Sequence, residues 1–150
     1  MNLGINQRHV TLSCLTALLV CLLAVGVESK TFLRHVFQVL PIVLVTVLGL
    51  YRSRWTGSGA LGLFACWAFF MLLIWLYLAG IQTFFTGNFT AFEIVLTVVI
   101  GMLSILGIAA NVRPEPHVRL PVHLTGAVAF ALLQLVVMWL SLFSHRIASF

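Results

Sequence analysis

The sequence predicts an all-α fold: a polytopic integral membrane bundle of about five transmembrane helices in a single domain, residues 1–150. Two observations carry this. Five long apolar runs fill most of the chain: Val10–Val27, Phe32–Leu50, Ala60–Phe85, Ala91–Ala110 and Leu120–Phe143. A bilayer core about 30 Å thick needs about 20 helical residues to cross it, and each run meets or approaches that length. Hydrophobic residues also make up 62% of the chain against 7% charged, too few polar groups to clothe a water-facing globule. None of the runs alternates apolar and polar residues as barrel strands do, so helices are the remaining way to satisfy a backbone in lipid.

The first run follows Arg8 and His9, which resemble the charged start of a signal peptide, with Val27-Glu28-Ser29 as a cleavage context. Its apolar length of about 18 residues exceeds the usual signal core, so an uncleaved helix is expected. Ser13, Ala17, Cys21 and Ala24 form a narrow small-residue face on it. The second run places Arg34, Gln38, Pro41 and Gly49 on one side, and Pro41 predicts a kink by removing one N–H and crowding the Phe37 carbonyl.

The third run carries Phe64, Trp67, Phe69, Phe70, Trp75 and Tyr77 spread around its circumference, which predicts a helix facing lipid or a partner on most sides. After it, Asn88-Phe89-Thr90 matches a glycosylation acceptor, and Gly87-Asn88 predicts a tight turn. In the fourth run Glu93, Thr97, Gly101, Ser104, Gly107 and Asn111 fall within an arc of about 120°. In the fifth, Ala127, Ala131, Gln134, Met138, Ser141 and His145 share a face. Lipid gives helices no hydrophobic reason to associate, so such faces of small and polar residues are expected to pack on protein. Between these runs, Pro114, Pro116 and Pro121 predict a stiff connector whose basic residues suit anionic lipid heads or an acidic partner.

If every run crosses, Arg8, Arg52, Arg54, Arg113 and Arg119 share one side, and Lys30, Arg34 and Arg146 the other. The excess of basic residues predicts a cytoplasmic N-terminus and an outer C-terminus, in the inner membrane if the cell is bacterial. The charges stand singly between runs rather than on one basic face, so no nucleic-acid partner is expected.

Function is less sharply drawn. Glu28, Glu93 and Glu115 are the only acids, so a carboxylate pair or a carboxylate-rich Mg²⁺ or Ca²⁺ site is poorly supplied. Cys14, Cys21 and Cys66 lie inside apolar runs without zinc spacing and read as packing residues. Phosphate-loop, dinucleotide, nucleophile-elbow and zincin motifs are absent. One polar cluster stands out: Arg34, His35, Gln38, Gln82, Glu93 and His145 lie near the outer ends of their runs, where Arg34 and Glu93 can pair. A packing seam is expected from Thr97, Gly101, Ser104, Gly107, Ala127, Ala131 and Gln134. These features favour a non-enzymatic subunit or scaffold that packs with itself or with other membrane subunits, with no cofactor. A second reading is a small transporter or channel with a polar route around Glu93, Arg34 and Gln134. A third is a redox subunit holding haem or quinone near His35 and His145; the remaining histidines, His9, His117 and His123, are read as interfacial.

Overall fold

Helix α1 (Leu3–Glu28) extends its apolar run backwards through Arg8 and ends where the backbone turns left-handed at Lys30. Thr31 N–H donates to Gly26 O at 3.0 Å and Lys30 N–H to Val27 O at 3.3 Å, the paired bonds of a Schellman turn. The computed structural model describes residues 3–81, 89–114 and 118–143, and every regular element among them is helical. The second apolar run is two helices, α2 (Phe32–Gln38) and α3 (Leu40–Leu50), bent by 42° at Val39. Pro41 occupies the first turn of α3, where its missing N–H would have no partner within the new helix. The kink expected at Pro41 is therefore a break.

Helix α3 closes on a second Schellman turn, with Ser53 N–H on Leu48 O at 2.9 Å and Arg52 N–H on Gly49 O at 3.2 Å. Arg52 sits at φ 57, as Lys30 sits at φ 55, in a region that costs a side-chain-bearing residue roughly 1 kcal/mol. A cation beside the negative end of a helix offsets part of that cost. Helix α4 (Thr56–Leu78) ends in the same way, but there Gly80, at φ 73, takes the left-handed position without strain. Helices α5 (Ala91–Asn111) and α6 (Leu120–Phe143) complete the chain. By length and composition α1, α4, α5 and α6 can each cross a membrane, and the bent α2–α3 pair adds a fifth if its two helices form one span.

The helices alternate in direction. Helix α4 is flanked by α5 and α6; α1 lies against α5 and against the α2–α3 pair, which returns to touch α4 and α6. At one end meet Arg8, the C-terminus of α3, the N-termini of α4 and α6, and the C-terminus of α5; we call it the arginine end. Helices α4 and α6 run parallel, because Ser58 packs on Gly126 and Gly62 on Ala127 and Ala131. A Cβ on Gly62 would collide with the Ala127 carbonyl, so the two backbones touch there.

Helix α4 departs from the expectation for the third run. It begins at Thr56, because the Thr-Gly-Ser-Gly segment that hydropathy leaves outside is helical and buried, and it ends at Leu78; residues 82–85 lie outside the described residues. It is also the central helix rather than a peripheral one. The Phe64 ring fills the notch at Gly107 and the Trp75 ring the notch at Gly101, while Trp67 is buried and only Phe69 of this group is strongly exposed. Aromatic spread around a helix here reflects neighbours on several sides, not lipid. The first run also departs from expectation: α1 buries Thr11, Cys14, Leu15, Leu18, Leu22 and Gly26, while Ser13 and Thr16 are exposed and Ala17 and Cys21 half-buried. Leucines that interdigitate with Phe64, Ile42 and Ile100 bury more area than a small-residue face would.

Gly62→Leu is expected to force α4 from α6 and to lower the thermal midpoint in mild detergent by far more than Gly80→Leu. The latter meets open space and carries only the left-handed backbone cost of about 1 kcal/mol. Equal shifts for the two variants would show that the α4–α6 contact is not backbone-tight.

Candidate functional site

Polar side chains inside an apolar bundle must find partners, and a lone hydroxyl or amide left unpaired there costs about 1–3 kcal/mol. At the arginine end four such residues solve the problem together. Thr11 on α1 and Asn111 on α5 are 3.1 Å apart, Oγ1 to Oδ1, with the hydroxyl proton shared between Asn111 and the Gln7 carbonyl at 2.9 Å. The Asn111 amide nitrogen donates to Gly107 O at 2.8 Å, and its backbone carbonyl lies 3.0 Å from His123 Nε2 on α6. Ser58 on α4 lies 3.0 Å from His123 Nδ1. All four side chains are at most 2% exposed.

The tautomer follows from these neighbours. A carbonyl can only accept, so the ring proton sits on Nε2, and Nδ1 accepts from the Ser58 hydroxyl. A hydroxyl on an imidazole that is oriented from behind by a second acceptor is the arrangement that activates a serine nucleophile. Here Ser58 is 1% exposed, so no substrate carbonyl reaches its oxygen. What the arrangement does is join α1, α4, α5 and α6 at one level. Arg8 adds α3, donating from Nε to Gly49 O at 2.8 Å and from its terminal nitrogen to Leu50 O at 3.1 Å.

A second polar knot sits at the helix break. Gln134 Nε2 on α6 donates to the Gln38 carbonyl at 3.0 Å, and Gln38 Nε2 donates to Ser141 Oγ at 3.0 Å. Gln38, Gln134 and Ser141 are all buried. The knot leaves Gln134 Oε1 without a partner, and Trp67 Nε1 is likewise a buried, unpartnered donor. Five residues beyond Gly62 on α4, Trp67 stands at about the level of Gln134, because the parallel helices rise together by about 1.5 Å per residue.

The outer cluster drawn from the sequence divides between tasks. Glu93 closes a capping box at the start of α5: its carboxylate accepts from Thr90 N–H at 2.8 Å, and its own N–H donates to Thr90 Oγ1 at 3.2 Å. His35 is half-buried, packs on Gly26, and holds Nδ1 3.2 Å from both Thr31 Oγ1 and Thr31 O. Arg34 is half-buried on α2, and Gln38 belongs to the knot at the break. Gln82, His145 and the acceptor Asn88 lie outside the described residues. Of the seam residues, Thr97, Gly101, Ser104, Gly107, Ala127 and Gln134 are buried and Ala131 is half-buried. Thr97 accepts from Trp75 Nε1 at 3.2 Å and Ser104 donates to Ile100 O at 2.7 Å.

Sequence reasoning missed Thr11, Ser58 and His123. His123 stands four residues before Ala127 on the face shared by Ala131 and Gln134, a signal that its place near the end of the run concealed. Ser58 precedes the apolar run altogether. Among the described residues no group of three or more side chains could hold a metal ion. Comparison with protein-family models, with curated proteins and with solved structures returned no match for the chain.

Ser58→Ala and His123→Leu are each expected to destabilise the bundle by about 1–3 kcal/mol, since each strands a buried partner. The double variant should lose clearly less than the sum of the two, measured by denaturant unfolding in detergent micelles. Strict additivity would mean that the Ser58–His123 bond contributes nothing.

Proposed function

We propose that this chain is a small integral membrane protein that crosses the bilayer five times and has no catalysis of its own. It serves as a subunit or scaffold that packs against membrane-embedded partners or further copies of itself. One observation carries the reading: the bundle is apolar on its outside as well as in its core, while a set of polar side chains is buried within it. Thr11, Gln38, Ser58, Thr97, Asn111, His123 and Gln134 are inside. Val95, Val98, Met102, Ile105 and Leu106 of α5, and Leu124, Val128, Leu132, Val136 and Trp139 of α6, are exposed on the outside. An apolar exterior of that extent is stable against hydrocarbon and not against water.

The packing role draws on α1. Its outward face presents Ser13, Thr16, Ala17 and Cys21 between Leu12 and Val20 in a shallow groove. Small residues at such spacing let a second helix approach closely. The hydrogen bonds of the interior, by contrast, are spent largely within the bundle.

A transport reading has one observation in its favour. The break at Val39, the unpaired Gln134 carbonyl oxygen and the unpaired Trp67 N–H stand at one level, and interrupted helices with free polar groups are where transporters bind their cargo.

Alkaline carbonate should leave the protein in the membrane pellet, and release into the supernatant would end the membrane reading. In mild detergent the wild-type chain should run as a particle larger than one copy, and Ala17→Phe should shrink it to a monomer with an unchanged thermal midpoint. A wild-type monomer carrying no other chain would defeat the packing role. Flux through reconstituted vesicles that Gln134→Leu abolishes would replace it with transport.

A further inference from the structure

We propose that the arginine end of the bundle is a binding surface for anionic phospholipid headgroups; the proposal rests on the membrane reading above. The alternating helix directions gather Arg8, Arg52, Arg54, Arg113 and Arg119 at this end. Arg8 is spent inside, on the Gly49 and Leu50 carbonyls. Arg52, Arg54, Arg113 and Arg119 remain exposed.

The described acids, Glu28 and Glu93, both lie at the other end, beside Lys30 and Arg34. Among the described residues the arginine end holds five arginines and no carboxylate. Anions from outside the fold would complement this charge.

The geometry suits a headgroup layer. Tyr51 is 82% and Trp55 37% exposed in the same turn, and the Arg54 guanidinium lies over the Trp55 ring at 5.4 Å. Amphipathic rings of this kind settle at the level of lipid headgroups. Arg52 holds a left-handed position that glycine would fill without strain, so the turn keeps a guanidinium there at a backbone cost. Guanidinium groups donate paired N–H bonds to phosphate oxygens, which ammonium groups do not. The four exposed arginines come from the α3–α4 turn, the end of α5 and the start of α6. This spread over several helix ends fits a surrounding layer of lipid better than one acidic protein face.

The test reconstitutes the full chain in nanodiscs of phosphatidylcholine, with and without phosphatidylglycerol, and counts retained lipids by native mass spectrometry. Wild type should retain phosphatidylglycerol over phosphatidylcholine, and the preference should fall by about fivefold for each arginine removed in the series up to R52Q/R54Q/R113Q/R119Q. Molar salt, which shortens screening to about 3 Å, should erase the preference in wild type without any substitution. Equal retention of the two lipids, a preference indifferent to salt, or one that survives in the quadruple variant would overturn the proposal. So would full displacement of phosphatidylglycerol by inorganic phosphate, which would mark a soluble-anion site. Failure of wild type to enter phosphatidylcholine nanodiscs at all would instead overturn the membrane reading.

Discussion

His123 has one nitrogen against a backbone carbonyl and the other against a hydroxyl, and through it three helices meet at a single buried point. Asn111 extends the chain to α1 by its side chain while its own backbone carbonyl serves His123. Each member therefore fixes the orientation of the next: Gly107 O orients the Asn111 amide, Asn111 O sets the histidine tautomer, and the tautomer sets the direction of the Ser58 proton. In an apolar medium such a chain is strong where complete and costly where broken. It registers the helices along their axes, which leucine packing alone does weakly because one leucine turn resembles the next.

The helix break at Val39 shows how the same requirement operates elsewhere. Pro41 takes one N–H from the second run, and the chain answers by ending α2 and beginning α3. The Gln38 carbonyl at the break is then taken by Gln134 from α6, so a local defect becomes an interhelix bond. The aromatic residues of α4 work similarly. Phe64 and Trp75 are large, and each seats in a notch where α5 has glycine, so Gly107 and Gly101 help position α4 lengthwise on α5. Both the polar chain and the glycine notches are register devices.

Much of this was legible in the residues. The face of α5 from Glu93 to Asn111 can be read at helical spacing, because small and polar residues recur there against a background of Ile, Val and Leu. The face of α6 through Ala127, Ala131 and Gln134 can be read likewise. The inward face of α1 could not, since a helix rich in Leu on several sides offers no contrast, and the leucine side packed inward. The burial of Thr56-Gly57-Ser58-Gly59 was hidden because hydropathy scores those residues as a loop, whereas their smallness admits close helix contact. Glu93 illustrates a different gap: Thr90 and Glu93 are three apart before an apolar run, the spacing of a capping box, yet an acid near other polar residues drew attention as a site.

The sequence by itself determined the helical class, the positions of the apolar runs, a bend near Pro41 and, given that each run crosses, the gathering of arginines at one end. Those follow from composition and order along the chain, which need no knowledge of neighbours. Only the tertiary structure decided that α4 is central, that α1 turns its leucines inward, and that Thr11, Ser58, Asn111 and His123 belong to one chain of bonds. The physical reason is that a hydrogen bond between residues 100 positions apart, such as Thr11 to Asn111, depends on how helices stack and rotate. Stacking is set by the summed fit of every contact, and no single segment carries it.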